Sequence, residues 1–238
     1  MKMKNKKQEQ LKTKQKHKEH LKCNRRKETQ LSRNAPKLRE KPLILIVCEG
    51  KNTEPSYFNQ FKLVTAIVKP VGVGYNTISL VNRAIALKAE REYNEVWCVF
   101  DKDDFKDSDF NSAITKAKAN KLKVAYSIQA FEYWLILHFD DHQGARMNRN
   151  EYNDKINELL QPYKIQYDGK KSKKISDEFF ALLNGIDEKT NENRMKLAIK
   201  RAKRNYNDFP HINIAKEESS TTVFKLVEKL LKHVQHLL

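Results

Sequence analysis

The sequence predicts an α/β fold, a mainly parallel sheet flanked by helices, with a C-terminal helical annex and a basic N-terminal tail that is disordered or helical. Three observations predict it. Apolar runs of strand length recur at 43–48 and 95–100, amphipathic helical patterns alternate with such runs up to residue 130, and beyond Ala130 the pattern is helical almost to the end. A short continuous apolar run reads as a strand buried on both faces, as in sheets whose connections are crossover helices.

Residues 1–41 form the tail: Lys, Gln, Asn and Glu without apolar periodicity cannot bury enough surface to offset chain entropy, so the segment is expected to be at best transiently helical. Pro36 and Pro42 punctuate the entry to the α/β core, 42–130. Its first strand, 43–48, ends at Glu49-Gly50, and Thr53 is placed to cap a helix carrying Glu54 and Pro55 in its first turn. A strand over 68–75, a helix over 79–93, the strand 95–100, a helix over 109–120 and a strand over 122–128 complete four strands and three helices. The annex, 131–238, holds the apolar segment 131–139 and helical candidates at 149–161, 175–184, 191–206 and 221–237, with the basic loop Asp168-Gly-Lys-Lys-Ser-Lys-Lys174 between them.

A chain of 238 residues with 39% apolar content supports one main core. It holds no apolar run near the roughly 18 residues of a spanning helix, and its N-terminus lacks the apolar core of a signal peptide, so a cytoplasmic protein without a membrane partner is expected. Cys23, Cys48 and Cys98 form no CxxC pair, and Cys48 and Cys98 read as small buried apolar residues. Of the net charge of +17, residues 1–42 contribute +12, from 16 Lys or Arg against 4 Glu. A basic arm beside a nearly balanced domain favours a nucleic-acid partner, with a solubilising tail as the plain alternative.

In open α/β sheets the chemistry gathers beyond the carboxyl ends of the strands. Glu49 directly follows the first strand and Asp101 and Asp103 follow the third, so three carboxylates converge if those strands are neighbours. Such a cluster implies a divalent cation, and hard oxygen ligands suit Mg²⁺ or Mn²⁺. The alternative is that these acids solvate loops or cap helices. Glu132, just past the fourth strand, is a further catalytic or metal-site candidate, or else a first-turn charge favoured by the helix dipole. His138 reads as a core histidine, Glu54 as a first-turn charge, and Asp104 as either a supporting acid or a solvated turn residue. Lys51, the loop lysines Lys170, Lys171, Lys173 and Lys174, and Lys200, Arg201 and Arg204 on a helix that also carries Arg194, Lys196 and Lys203, are the candidates for phosphate contacts.

A strand ending in Glu-Gly followed by one ending in Asp-x-Asp resembles the two signatures of Toprim domains. More specifically, the segments 43–58, 95–105, Phe131-Glu-Tyr-Trp-Leu-Ile-Leu-His-Phe139 and 220–228 resemble the RloB family, relatives of AbiLii-type abortive-infection proteins. The likeness runs over about residues 41–230. It implies a Toprim nuclease-like fold used in bacterial antiphage defence, often beside an ATPase partner, with Glu49 in acid–base or metal-binding work and Asp101 and Asp103 holding metal. The chain departs from the family where Ile128-Gln129-Ala130 replaces its usual Asn-Pro-x before Phe-Glu.

The activity implied is Mg²⁺-dependent hydrolysis of nucleic-acid phosphodiesters, with RNA, transfer RNA included, favoured over DNA by analogy. A non-catalytic nucleic-acid-binding subunit of an ATPase-containing complex is the alternative, and a primase-like transferase a third, for which the sequence offers no zinc-ligand set. A homo-oligomer is compatible with the sequence.

Overall fold

A computed structural model describes residues 2–26, 42–70, 77–143 and 147–234. The chain divides into two units, Met1–Glu40 and Lys41–Leu238. In the first, the expected tail forms a helix, α1, over Lys2–Arg26. No Gly or Pro interrupts that stretch, and Lys, Gln and Glu are good helix formers, so local propensity suffices without a core. Leu11 and Leu21 are exposed on it.

The second unit holds strands β1 (Ile44–Cys48), β2 (Ala66–Pro70), β3 (Glu95–Asp101) and β4 (Lys123–Ser127) in the order β2-β1-β3-β4, all parallel. The expected strand at 68–75 begins earlier and is described to Pro70; 71–76 lie outside the described residues. Helices α2 (Thr53–Asn59), α3 (Thr77–Glu90) and α4 (Asp107–Ala119) connect the strands.

Alternation along the strands sorts the core. Leu45, Val47, Cys98 and Phe100 pack on the face covered by α3 and α4, whereas Ile44, Ile46, Trp97 and Val99 face the other way. That second face is covered by α2 and by the annex helices α5 (Glu132–Ile136), α6 (Arg149–Leu160), α7 (Asp177–Leu183), α8 (Arg194–Asn207) and α9 (Val223–Val234). The annex therefore completes the sheet's own core. Fully burying one of its large apolar side chains contributes roughly 1.5–3 kcal/mol, and Tyr57, Trp134, Tyr152 and Phe179 are all buried here.

The free edge of β4 is closed at its carboxyl end by residues 220–222. Ser127 bridges Thr221 antiparallel, Thr222 N donates to Tyr126 O, and Ile128 N donates to Ser220 O. Hydroxyl-rich Ser220-Thr-Thr thus satisfies strand backbone that would otherwise invite a foreign strand. Among the described residues no helix is long and apolar enough to cross a membrane.

Candidate active site at the carboxyl ends of β1, β3 and β4

With α2 on one face and α3 and α4 on the other, the connections leaving β1 and β3 diverge between those two neighbouring strands, which opens a crevice at their carboxyl ends. Glu49 stands at its mouth. Its backbone N–H extends the ladder to Val99 O, and its carboxylate Oε2 accepts from the Asp101 N–H at 3.3 Å. The Glu49 carboxylate thus reaches the β3 backbone at Asp101, a residue buried at 8% exposure.

Beyond Asp101 the chain leans onto the loop after β4. Lys102 N donates to Ser127 O, and Asp103 N donates to Gln129 O at 2.9 Å. Asp103 adopts a left-handed φ of 42°, which Asp tolerates better than most residues. The Lys102 side chain, buried between the two acids in sequence, binds Phe105 O and lies 3.2 Å from Asp107. It pins the turn that carries the Asp pair, a role not visible in the motif. Asp104 is exposed.

Glu132, 5% exposed in the first turn of α5, accepts a 2.9 Å hydrogen bond at Oε1 from Tyr167 OH. The same phenol lies 3.2 Å from Thr53 Oγ1. Thr53 is thus a first-turn residue joined to Tyr167, not the helix cap expected of it; Asn52 holds the cap position. Tyr167 is itself clamped, since Asn157 accepts from its backbone N and donates to its O. Burial, then the charge on Glu132, pushes the Tyr167 hydroxyl well above its ordinary range, so it remains a donor.

Glu54, read as a plain first-turn charge, is 5% exposed and accepts from the Gly50 N–H at 3.2 Å. A Cβ at Gly50 would stand 2.2 Å from the Glu54 carboxylate, so glycine is required for that approach. Beneath the crevice the Cys48 thiol is pushed far up, first by burial and then by Glu54, Cys98 and Asp101. A fully buried thiol of this kind packs as a small apolar residue.

The basic loop is anchored on the same wall. It leaves from Tyr167 and returns at Ile175, whose N–H donates to Ser56 Oγ at 2.8 Å. Asp168 shapes it by accepting from the N–H groups of Lys170, Lys171 and Ser172, which hold its own carboxyl below the usual range. Lys170, Lys171 and Lys174 are exposed and Lys173 half-buried, while Lys51 is exposed two residues past Glu49. On α8, Lys200 is exposed, but Arg201 donates to Leu137 O at 2.7 Å and Arg204 forks onto Asp141. Those two arginines hold α8 to the end of α5, whatever else they bind.

His138 is a core residue, as expected. It is buried, with Nδ1 3.0 Å from Trp134 O, and burial holds its pKa down to about 3.

The donors at the strand ends are all oxygen. Among the described residues no three His, Cys, Asp or Glu side chains are grouped as a ready-made metal cage. The pair formed by Glu49 and Asp101, with Asp103 on the next turn, fits a cation bound by one or two carboxylates together with water and substrate phosphate, the usual habit of Mg²⁺.

A family model described as RloB-like protein matches residues 44–230. No curated protein and no solved structure matches the chain.

Proposed function

The chain belongs to the RloB-like protein family, and on that premise we propose that it is a Mg²⁺-dependent nuclease hydrolysing nucleic-acid phosphodiesters. The observation that carries the reading is the contact between Glu49 and Asp101 at the divergence of β1 and β3. Glu49, Asp101 and Asp103 would hold the ion, which when bound supplies Lewis-acid polarisation of a phosphoryl oxygen and acidifies an attacking water.

The chain's own residues do the rest. Glu132, in the first turn of α5 and kept in place by the Tyr167 hydroxyl, is a further catalytic or metal-site group beside Glu49, which serves acid–base or metal-binding work. Lys51 and the loop lysines 170, 171, 173 and 174 bind the phosphates flanking the scissile bond, giving affinity without sequence choice. The arm adds a salt-sensitive, sequence-independent attraction. By family analogy the setting is cytoplasmic antiphage defence, with RNA favoured over DNA and an ATPase as partner.

The test is to incubate the full chain with total RNA and with plasmid DNA, with and without Mg²⁺, beside Asp101→Ala and Asp103→Ala. Cleavage by the parent protein only with Mg²⁺, and loss of cleavage in both folded variants, is the expected result. Full activity in both variants at unchanged Mg²⁺ demand would sink the assignment. Binding without cleavage under every condition would favour a non-catalytic binding subunit.

A further inference from the structure

A cavity of about 490 Å³ lies along the free edge of β4, walled by α4 and α9. Trp97 and its register partner Lys123 line it, so it sits toward the amino ends of β3 and β4. Trp97 precedes Asp101 by four residues, or about 13 Å of strand. Its volume is in the range of small-molecule sites.

The lining combines two chemistries. Ile114, Leu122 and Val124 contribute an apolar floor, with Tyr206 beside it, while Lys118, Lys123, Lys225, Lys229 and Lys232 surround it. Lys123 and Lys229 share Glu95, at 3.1 and 2.7 Å, and Glu228 is held by Lys203 at 2.6 Å. The lining itself carries five lysines against one glutamate, an excess of four positive charges. Lys225 lies 3.9 Å from the centroid of the Tyr206 ring. Lys118 and Lys232, on opposite walls, have no ion pair among the described residues and are exposed.

An apolar ligand here would desolvate the lysines without giving them a counter-charge, and a simple inorganic anion would leave the apolar floor wet. The occupant that meets both demands has a compact cluster of negative charge joined to a flat, weakly polar body. We propose that this cavity binds a nucleoside phosphate, either a free nucleotide or the phosphorylated terminal nucleotide of a strand, with Lys118 and Lys232 gripping the phosphates from the two walls. Its occupancy does not depend on what the carboxylate crevice does.

Isothermal titration of the full chain in EDTA at 150 mM salt tests this. The probes are ATP, a 5′-phosphorylated dinucleotide, tripolyphosphate and hexaglutamate. ATP or the dinucleotide should bind saturably and at least roughly tenfold more tightly than tripolyphosphate. The Lys118→Ala/Lys232→Ala variant, which alters only exposed side chains, should weaken that binding on the order of tenfold or more, as expected for lost charge-assisted contacts. Lys189→Ala, at an exposed lysine that lines neither this cavity nor the carboxylate crevice, should leave it unchanged. A preference for ATP identifies a free nucleotide, and a preference for the dinucleotide identifies a strand end. The proposal is overturned if neither binds, if tripolyphosphate binds equally well, if the Lys118/Lys232 variant binds like the parent, or if hexaglutamate binds best, which would mark an acidic-peptide site.

Discussion

Two sets of buried polar groups sit on the same face of the sheet and differ in kind. In the annex they are Arg194, His138 and Asn205, and each finds its partners inside the fold. Arg194 donates to Tyr163 OH and Leu182 O and lies over the Phe139 and Tyr163 rings; His138 meets Trp134 O and the Met195 sulfur; Asn205 donates to Tyr133 OH and His142 O. At the strand ends they are acids: Asp101, Glu54 and Glu132. Asp101 adjoins the carboxylate of Glu49, and the charges of Glu54 and Asp101 both bear on Cys48. The first set cross-links helices and reads as stability. Gathering like charges opposes stability, and that is the ground on which the proposed chemistry is placed at this crevice.

Glu49→Gln should produce the largest effect that separates the two sets. Cleavage should fall by about 10²–10⁴-fold if Glu49 transfers protons, and excess Mg²⁺ should not restore it. If Glu49 is mainly a ligand, excess Mg²⁺ should restore much of the rate by mass action. In either case urea denaturation should move little. A parental rate at limiting Mg²⁺ would leave Glu49 as a mere strand terminator.

Arg194→Ala should do the opposite. Removing a buried, multiply bonded guanidinium should destabilise the fold by about 3 kcal/mol in urea titrations, leaving cleavage per folded molecule intact. A stable variant that lost cleavage would erase the distinction between the sets.

Tyr167→Phe lies on their border. Losing one hydroxyl bonded to Glu132 should cost about 1 kcal/mol of stability and, if Glu132 serves the site, roughly tenfold in rate. An unchanged rate would move Glu132 and Tyr167 into the structural set.

His138 sharpens the contrast through pH. Its folded pKa of about 3 lies below the ordinary 6.5, so between those values the unfolded chain binds a proton that the folded chain does not. Its contribution to stability is full above pH 6.5 and falls as pH drops toward 3, at up to about 1.4 kcal/mol per pH unit. His138→Leu should flatten that part of the stability profile, whatever its absolute stability. An unchanged acid slope would show that His138 does not titrate as a buried base.

Glu49, Asp101 and Asp103 were legible because a strand leaves no choice about where its last residue emerges, so position in the run predicts position in space. His138 was legible from its apolar surroundings, and most annex helices from their periodicity. The helix over Lys2–Arg26 was underestimated because absence of an apolar stripe argues against packing, not against local helix formation. Thr53 was misread as a cap because its sequence context fits that role; its hydroxyl instead joins a phenol 114 residues away.

By itself the sequence determined what depends on local geometry: four strands, the helices between them, and acids at the ends of β1, β3 and β4. Only the tertiary structure decided the order β2-β1-β3-β4, which makes β1 and β3 neighbours and brings Glu49 against Asp101. It alone clamped Tyr167 onto Glu132, buried Glu54 over Gly50, and closed lysines from α4 and α9 around the edge of β4. These are contacts between residues far apart in the chain. Their existence depends on how whole elements pack, while the spacing of residues along one element constrains only that element.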